Sequence, residues 1–254
     1  MTHRMRSLIN ILCFLTVLTI NYLANELPLN GVTQKELSAS YSIHITPAGY
    51  VFAIWGLIYL GLLAYIVIQA MPKWVSREEL RRLDLPFAIS CACNALWLVV
   101  WHYQYLSLSV IFMLGLLISL IVTHIYAQKL RKNTKDTVMW LIQKTFGLYV
   151  GWVGLATILN ISIWLDSLGW KGEPLSGAIW GAIMLLVATV IYLYVGLAKR
   201  DVAPLGVLAW ASLGIAVKNQ SHIVIWNVGL GVSALCLVSL LGIIFRNKRA
   251  KIAS

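Results

Sequence analysis

Charge is what this chain of 254 residues has least of: 11% of its residues are Asp, Glu, Lys or Arg, and only nine are acidic. A soluble domain carries roughly 25% charged residues and about 45–50% apolar ones; here 60% are hydrophobic and the mean hydropathy is +0.81. So few charges cannot cover a globule in water, which excludes an ordinary soluble enzyme, a disordered regulator and a secreted disulfide scaffold. Cysteine is also scarce. Cys13, Cys91, Cys93 and Cys236 all lie inside apolar runs, where they read as small buried side chains rather than as disulfide partners or metal ligands. Strands of alternating apolar and polar residues, the signature of a membrane barrel, are missing. Missing too are a Ser/His/Asp set, a metal-ligand cluster and a phosphate loop, so no catalysis is expected. The acidic residues fall between or at the ends of the apolar runs, which disfavours ion-coupled transport, because such proteins keep ionisable groups at membrane depth.

What the chain does have is long apolar runs. Crossing a hydrocarbon layer of about 30 Å takes about 20 mostly apolar residues. Eight segments approach that length: about 7–25, 50–71, 85–103, 107–128, 143–165, 176–198, 202–218 and 223–245, the seventh being the shortest. Backbone polar groups inside lipid must pair within their own segment, so these runs are expected to be helices. The fold class is therefore all-α, a polytopic transmembrane helix bundle of about eight spans. The first segment is read as a retained helix rather than a cleaved signal peptide, since no A-x-A site follows it.

The net charge of +11 invites a nucleic-acid reading, but the basic residues sit in short clusters between the runs. Alternating the loops from a cytoplasmic N-terminus places 17 of the 20 Lys and Arg inside, among them Arg6, Arg77, Arg81, Lys135 and Arg200, and leaves Lys35, Lys171 and Lys218 outside. That bias is the positive-inside pattern. It predicts an integral, multi-pass protein with both termini cytoplasmic, set among lipid in a bacterial inner membrane or an organelle membrane, with no nucleic-acid partner.

The connection from about Glu26 to Gly49 is polar and turn-prone, with Pro28, Asn30, Gly31 and a stretch from Ser38 to Ser42. Loops of this length are uncommon and often act as lids; the alternative is a solvated connector. Pro47 suits the first turn of the following helix, with Thr46 placed to cap it.

Three spans carry aromatic and polar stripes at helical spacing: Phe52, Trp55 and Tyr59 on the second; Ser90, Asn94, Trp97 and Trp101 on the third; Tyr149, Trp152, Ala156 and Asn160 on the fifth. They admit two readings. One is helix packing with interhelical hydrogen bonds. The other is an aromatic cavity with a few polar groups, suited to a flat apolar ligand. Trp74, Trp140, Trp170 and Trp226 read as interfacial rings, and His102 and His124 as interfacial residues.

At these residues the sequence resembles the tryptophan-rich sensory proteins, or TspO-type translocator proteins. The family's loop element W-x-P-P followed by V-F-x-x-W and L-Y reads here as Ile45-Thr46-Pro47-Ala48, Val51-Phe52-Ala53-Ile54-Trp55 and Ile58-Tyr59. Its N-x-x-W element matches Asn94 and Trp97, with Trp101 following. Its Y-x-x-W-x-x-x-A-T-x-L-N element matches Tyr149, Trp152, Ala156, Thr157, Leu159 and Asn160. Ile45 and Ala48 depart from the loop element, and Leu148 stands where the family usually has proline. The resemblance covers roughly residues 7–166 and implies a five-helix unit, placed at 1–171, followed by three further spans and a basic tail at 172–254.

The resemblance implies a site for a porphyrin, a haem-like pigment or a sterol under the first loop, often in a homodimer, with roles in sensing or tetrapyrrole handling. The ligand-binding residues it singles out are Pro47, Phe52, Trp55, Tyr59, Asn94, Trp97, Trp101, Tyr149, Trp152, Ala156 and Asn160. No cofactor is required, porphyrin or haem being a ligand. The alternative is a passive transporter or facilitator of a small uncharged or hydrophobic solute.

Overall fold

The computed structural model describes residues 3–26, 29–41, 43–75, 77–134, 136–199 and 201–252; Pro28, Ser42, Lys135 and Arg200, used above, lie outside them. Among the described residues there is no strand. The helices are α1 (His3–Glu26), α2 (Gln34–Ser40), α3 (Ile54–Ala70), α4 (Pro72–Val75), α5 (Glu78–Arg81), α6 (Asp84–His102), α7 (Leu106–Thr134), α8 (Thr137–Ser167), α9 (Gly177–Ala198), α10 (Val202–Lys218) and α11 (Ile223–Ile252). All eight apolar runs are thus helical, and among the described residues seven stretches are long and apolar enough to cross a membrane. The exception is α10, the run already shortest in the sequence. Its 17 residues reach only about 25 Å at 1.5 Å per residue.

The helices wear their apolar side chains outward. Leu57, Leu60 and Val67 on α3, Ile111 and Ile118 on α7, Val190 and Tyr194 on α9, and Val238 and Phe245 on α11 are exposed, while Asn10, Asn21, Gln69, Asn94, His102 and Asn160 are buried. Water would penalise that arrangement. Lipid favours it, because a buried amide finds a partner on another helix and an aliphatic face meets acyl chains. The chain is a multi-pass membrane protein with lipid-facing helices.

Two compact units make up the chain: Met1–Ser40 with Ala53–Val153, and Tyr41–Phe52 with Gly154–Ser254. This division follows packing, whereas the boundary at residue 171 follows sequence motifs. The first unit holds α1, α3, α6, α7 and the beginning of α8. Its core includes Tyr65, Phe87 and Phe146, edge to face with centroids 5.1–6.1 Å apart. Gly61 allows α3 to approach α8 closely, since a Cβ there would lie 2.6 Å from Thr145 Oγ1.

The second unit holds the end of α8, α9, α10 and α11. Ser176 and Asp201 cap α9 and α10, accepting from Ile179 N at 3.3 Å and Ala203 N at 3.2 Å. The short α10 is the most enclosed helix, with 11 of its 17 residues buried. Small residues make this possible. Ser233 Oγ donates to Ala209 O at 3.0 Å, and a Cβ at Gly229 would come within 2.9 Å of Ser212 O. Such close approach is how helices gain packing where no hydrophobic force separates helix from lipid.

The long connection is not a solvated strand of chain. Asn30, at φ 55° in a 3₁₀ turn (Leu29–Gly31), donates from Nδ2 to His102 O at 3.1 Å within the first unit. Thr33 and Glu36 form a reciprocal cap at the start of α2: Glu36 N donates to Thr33 Oγ1 at 3.2 Å, and Thr33 N to Glu36 Oε2 at 2.8 Å. From Tyr41 onward the connection belongs to the second unit. Ala48 N donates to Gly214 O at 3.0 Å, Asn219 Nδ2 to His44 O at 2.9 Å, and Trp210 Nε1 to Val51 O at 3.1 Å. Ile45, which stands in place of the family's tryptophan, is buried in the core formed with α9, α10 and α11. These bonds also explain a correction. Pro47 does not open a helix and Thr46 does not cap one: Thr46 Oγ1 is buried without a partner, a 3₁₀ turn spans Gly49–Ala53, and α3 begins at Ile54 without a side-chain cap. Backbone committed to α10 is not available to wind into α3.

Candidate functional site

Helical spacing on α3, α6 and α8 brings seven of the eleven singled-out residues into the first unit: Trp55, Tyr59, Asn94, Trp97, Trp101, Tyr149 and Trp152. Trp55 is the hub. Its ring stacks on Tyr59 one turn further along α3, with centroids 5.4 Å apart and planes 16° from parallel. It meets Tyr149 at 5.9 Å and Trp152 at 6.2 Å, both edge to face. On α6 a second pair, Trp97 and Trp101, stacks at 6.3 Å and 22°. Edge and offset contacts of this kind suit the ring quadrupoles and are worth about 0.5–1.5 kcal/mol each beyond the area they bury.

A hydrogen-bonded line crosses beside the rings. Asn21 Nδ2 on α1 donates to Asn94 Oδ1 at 3.1 Å, and Asn94 Nδ2 donates to Tyr149 Oη at 3.1 Å. Asn94 is wholly buried, so this line supplies the partners its amide cannot take from lipid. For Asn94 the packing account of the stripe therefore holds. Asn21 was missed by stripe reasoning because Val17, Leu18 and Ala24, three of its neighbours at helical spacing, are aliphatic, although an amide in an apolar helix is itself a signal.

Other polar atoms in the cluster are not satisfied. Trp55 Nε1, Tyr59 Oη and Trp97 Nε1 are buried without a hydrogen-bond partner. Each indole N–H is a donor only, and the phenol can donate or accept. A buried donor left unpaired costs about 1–3 kcal/mol. The cluster is an aromatic wall that carries three unpaired polar side-chain atoms.

The remaining four residues belong to the second unit. Pro47 is buried near α10, where a Cβ at Gly214 would lie 3.6 Å from the proline Cβ. Phe52 ends the same segment, and Asn160 is buried further along α8, with Ala156 half-buried one turn before it. The two histidines read as interfacial both lie inside the protein. His102 is fully buried, its Nδ1 2.7 Å from Leu98 O, and His124 is buried with Nε2 2.8 Å from Gln128 Nε2. Trp74 is only 3% exposed, beneath the Arg77 guanidinium at 4.4 Å and the Lys73 ammonium at 5.0 Å. Both cations lie against that ring. The four cysteines are free thiols, Cys91 and Cys236 buried.

Outward aliphatic faces, inward amides and a tryptophan-rich cluster on three helices define an aromatic-cored, multi-pass membrane bundle. The family described as TSPO-like protein matches over residues 7–244, and the chain belongs to that family. The match runs past the motifs at 7–166 and through α9 and α10 into α11, so the C-terminal helices belong to the family's pattern as well. Neither a curated protein nor a solved structure matches the chain.

Proposed function

We propose that this TspO-type membrane protein binds a flat hydrophobic ligand, of the porphyrin, haem-like or sterol kind, against the aromatic cluster of its first unit. It acts there as a sensor or translocator, without catalysis. The observation that supports this most strongly is the set of three buried, unpaired polar hydrogens on Trp55, Tyr59 and Trp97. A planar guest stacked on the rings and carrying an oxygen or nitrogen acceptor would remove a desolvation cost of about 1–3 kcal/mol per donor. The cytoplasmic placement of both termini follows from the basic clusters; a homodimer follows from the family resemblance.

Titration of the purified full chain with protoporphyrin, followed by tryptophan fluorescence, tests this. Saturable quenching that weakens in Trp152→Ala, with the pigment's absorption spectrum unaltered over hours, is the expected result. Quenching that is linear in pigment, or unchanged by the substitution, would remove the support. Solute flux in proteoliposomes without saturable pigment binding would favour the passive facilitator instead.

A further inference from the structure

A second concentration of unpaired donors lies in the first unit, away from the aromatic cluster, where α1 begins, α3 ends and α6 begins. We infer that this cleft binds an anionic phosphate group. It is a small, open-mouthed cleft whose lining contains Arg6, Arg77 and Arg81 together with Gln69, Trp74 and the single carboxylate of Asp84.

The polar bookkeeping of the cleft is one-sided. Gln69 is 5% exposed; its Oε1 accepts from Asn10 Nδ2 at 3.1 Å, while its Nε2 has no partner. Arg6 Nε and Arg81 Nε are likewise buried without a partner. Every unsatisfied atom here is a donor. Asp84 is already engaged, accepting from Asn10 Nδ2 at 2.9 Å. Glu78 approaches Arg81 Nη1 at 3.7 Å from a side chain that is 82% exposed, a surface pair of little strength. Three guanidinium groups thus face one occupied carboxylate.

A tetrahedral anion with several acceptor oxygens matches that demand better than a planar carboxylate, because guanidinium forks and an amide can each take a different oxygen. Trp74 forms a rigid wall and holds the Arg77 guanidinium over its face at 4.4 Å. The lining residues come from the start of α1, the end of α3, and the segment from Trp74 to the start of α6. The phosphate could belong to an anionic lipid headgroup or to a soluble phosphate, and both present the same chemistry to the arginines.

Native mass spectrometry of the full chain in detergent, with dioleoylphosphatidylglycerol against dioleoylphosphatidylcholine, tests the lipid source; thermal unfolding with inorganic phosphate tests the soluble one. Arg77→Gln and Arg81→Gln are compared with Lys132→Gln, which removes a charge from an exposed residue of α7. Loss of charge-assisted bonds predicts about tenfold weaker retention of phosphatidylglycerol in both arginine variants but not in Lys132→Gln. Arg81→Lys keeps the charge and loses the fork, and should also weaken retention. If inorganic phosphate instead raises the unfolding temperature saturably in the wild type and not in Arg81→Gln, the inference stands with a soluble phosphate as the source. Equal losses in Lys132→Gln and the arginine variants, or wild-type binding by both Arg81→Lys and Arg77→Gln in monodisperse preparations, would reduce the cleft to unspecific surface charge and overturn it.

Discussion

Asn94 shows how one residue can serve packing beside a site. Its amide accepts from α1 and donates to α8, so Asn21, Asn94 and Tyr149 act as one unit. Interhelical hydrogen bonds in membranes are worth about 0.6 kcal/mol on average, with a ceiling of about 1.7. Tyr149→Phe, which keeps the ring against Trp55, should therefore lower the stability in detergent by about 1 kcal/mol. The double variant Asn21→Ala/Tyr149→Phe should lose less than the sum of the single losses, because both bonds pass through Asn94. Strict additivity in the unfolding curves would contradict the line. At this scale the stripes were legible: three- and four-residue spacing is enough to place Trp55 with Tyr59 and Asn94 with Trp97 on shared faces. Which nitrogen lacks a partner was not legible. Pairing depends on distances between helices, and Asn94 and Trp97 look alike in sequence yet end satisfied and unsatisfied.

Among the elements, α10 carries the most consequence for its length. It is too short to be recognised easily as a span, yet it is the helix that the segment Tyr41–Phe52 is bonded to. A side chain at Gly214 would collide with Val51 Cγ2, a stiff branched group that cannot swing aside. Gly214→Ala should thus destabilise the protein by about 1–3 kcal/mol, the usual cost of overpacking. Gly206 on the same helix is the control. The nearest atom to a Cβ there is Leu240 Cδ1 at 3.8 Å, so Gly206→Ala should be neutral or stabilising by up to about 1 kcal/mol through helix propensity. Equal unfolding temperatures for the two variants would refute the close approach. Nothing in the local sequence of the loop announces this seat. Ile45 reads as a lost tryptophan until the core of α9, α10 and α11 is seen around it, and Ala48 bonds to a residue more than 160 positions away.

For the whole molecule, hydropathy settled most of the architecture, because lipid punishes unpaired backbone so heavily that apolar length alone selects helices. The parity of the spans is decided by α10. If it crosses, eight spans return the chain to its starting side; if it does not, seven leave the termini on opposite sides. Because the basic clusters alternate when α1 and α10 are both counted as spans, fluorescent-protein fusions at either terminus should report cytoplasm and alkaline phosphatase fusions there should be inactive. Opposite reports from the two ends would remove α10 from the count. The central claim concerns the donors, and the most direct measurement is calorimetric titration of protoporphyrin into the full chain and into Trp55→Phe and Trp97→Phe, which keep an aromatic ring and lose only the N–H and part of its area. Loss of a hydrogen bond made only to the ligand predicts a weakening of about five- to thirtyfold in each variant, while removal of an unpaired buried donor offsets part of the stability lost with the smaller ring. Unchanged affinity in both variants would mean that these N–H groups meet no guest, and would contradict the account.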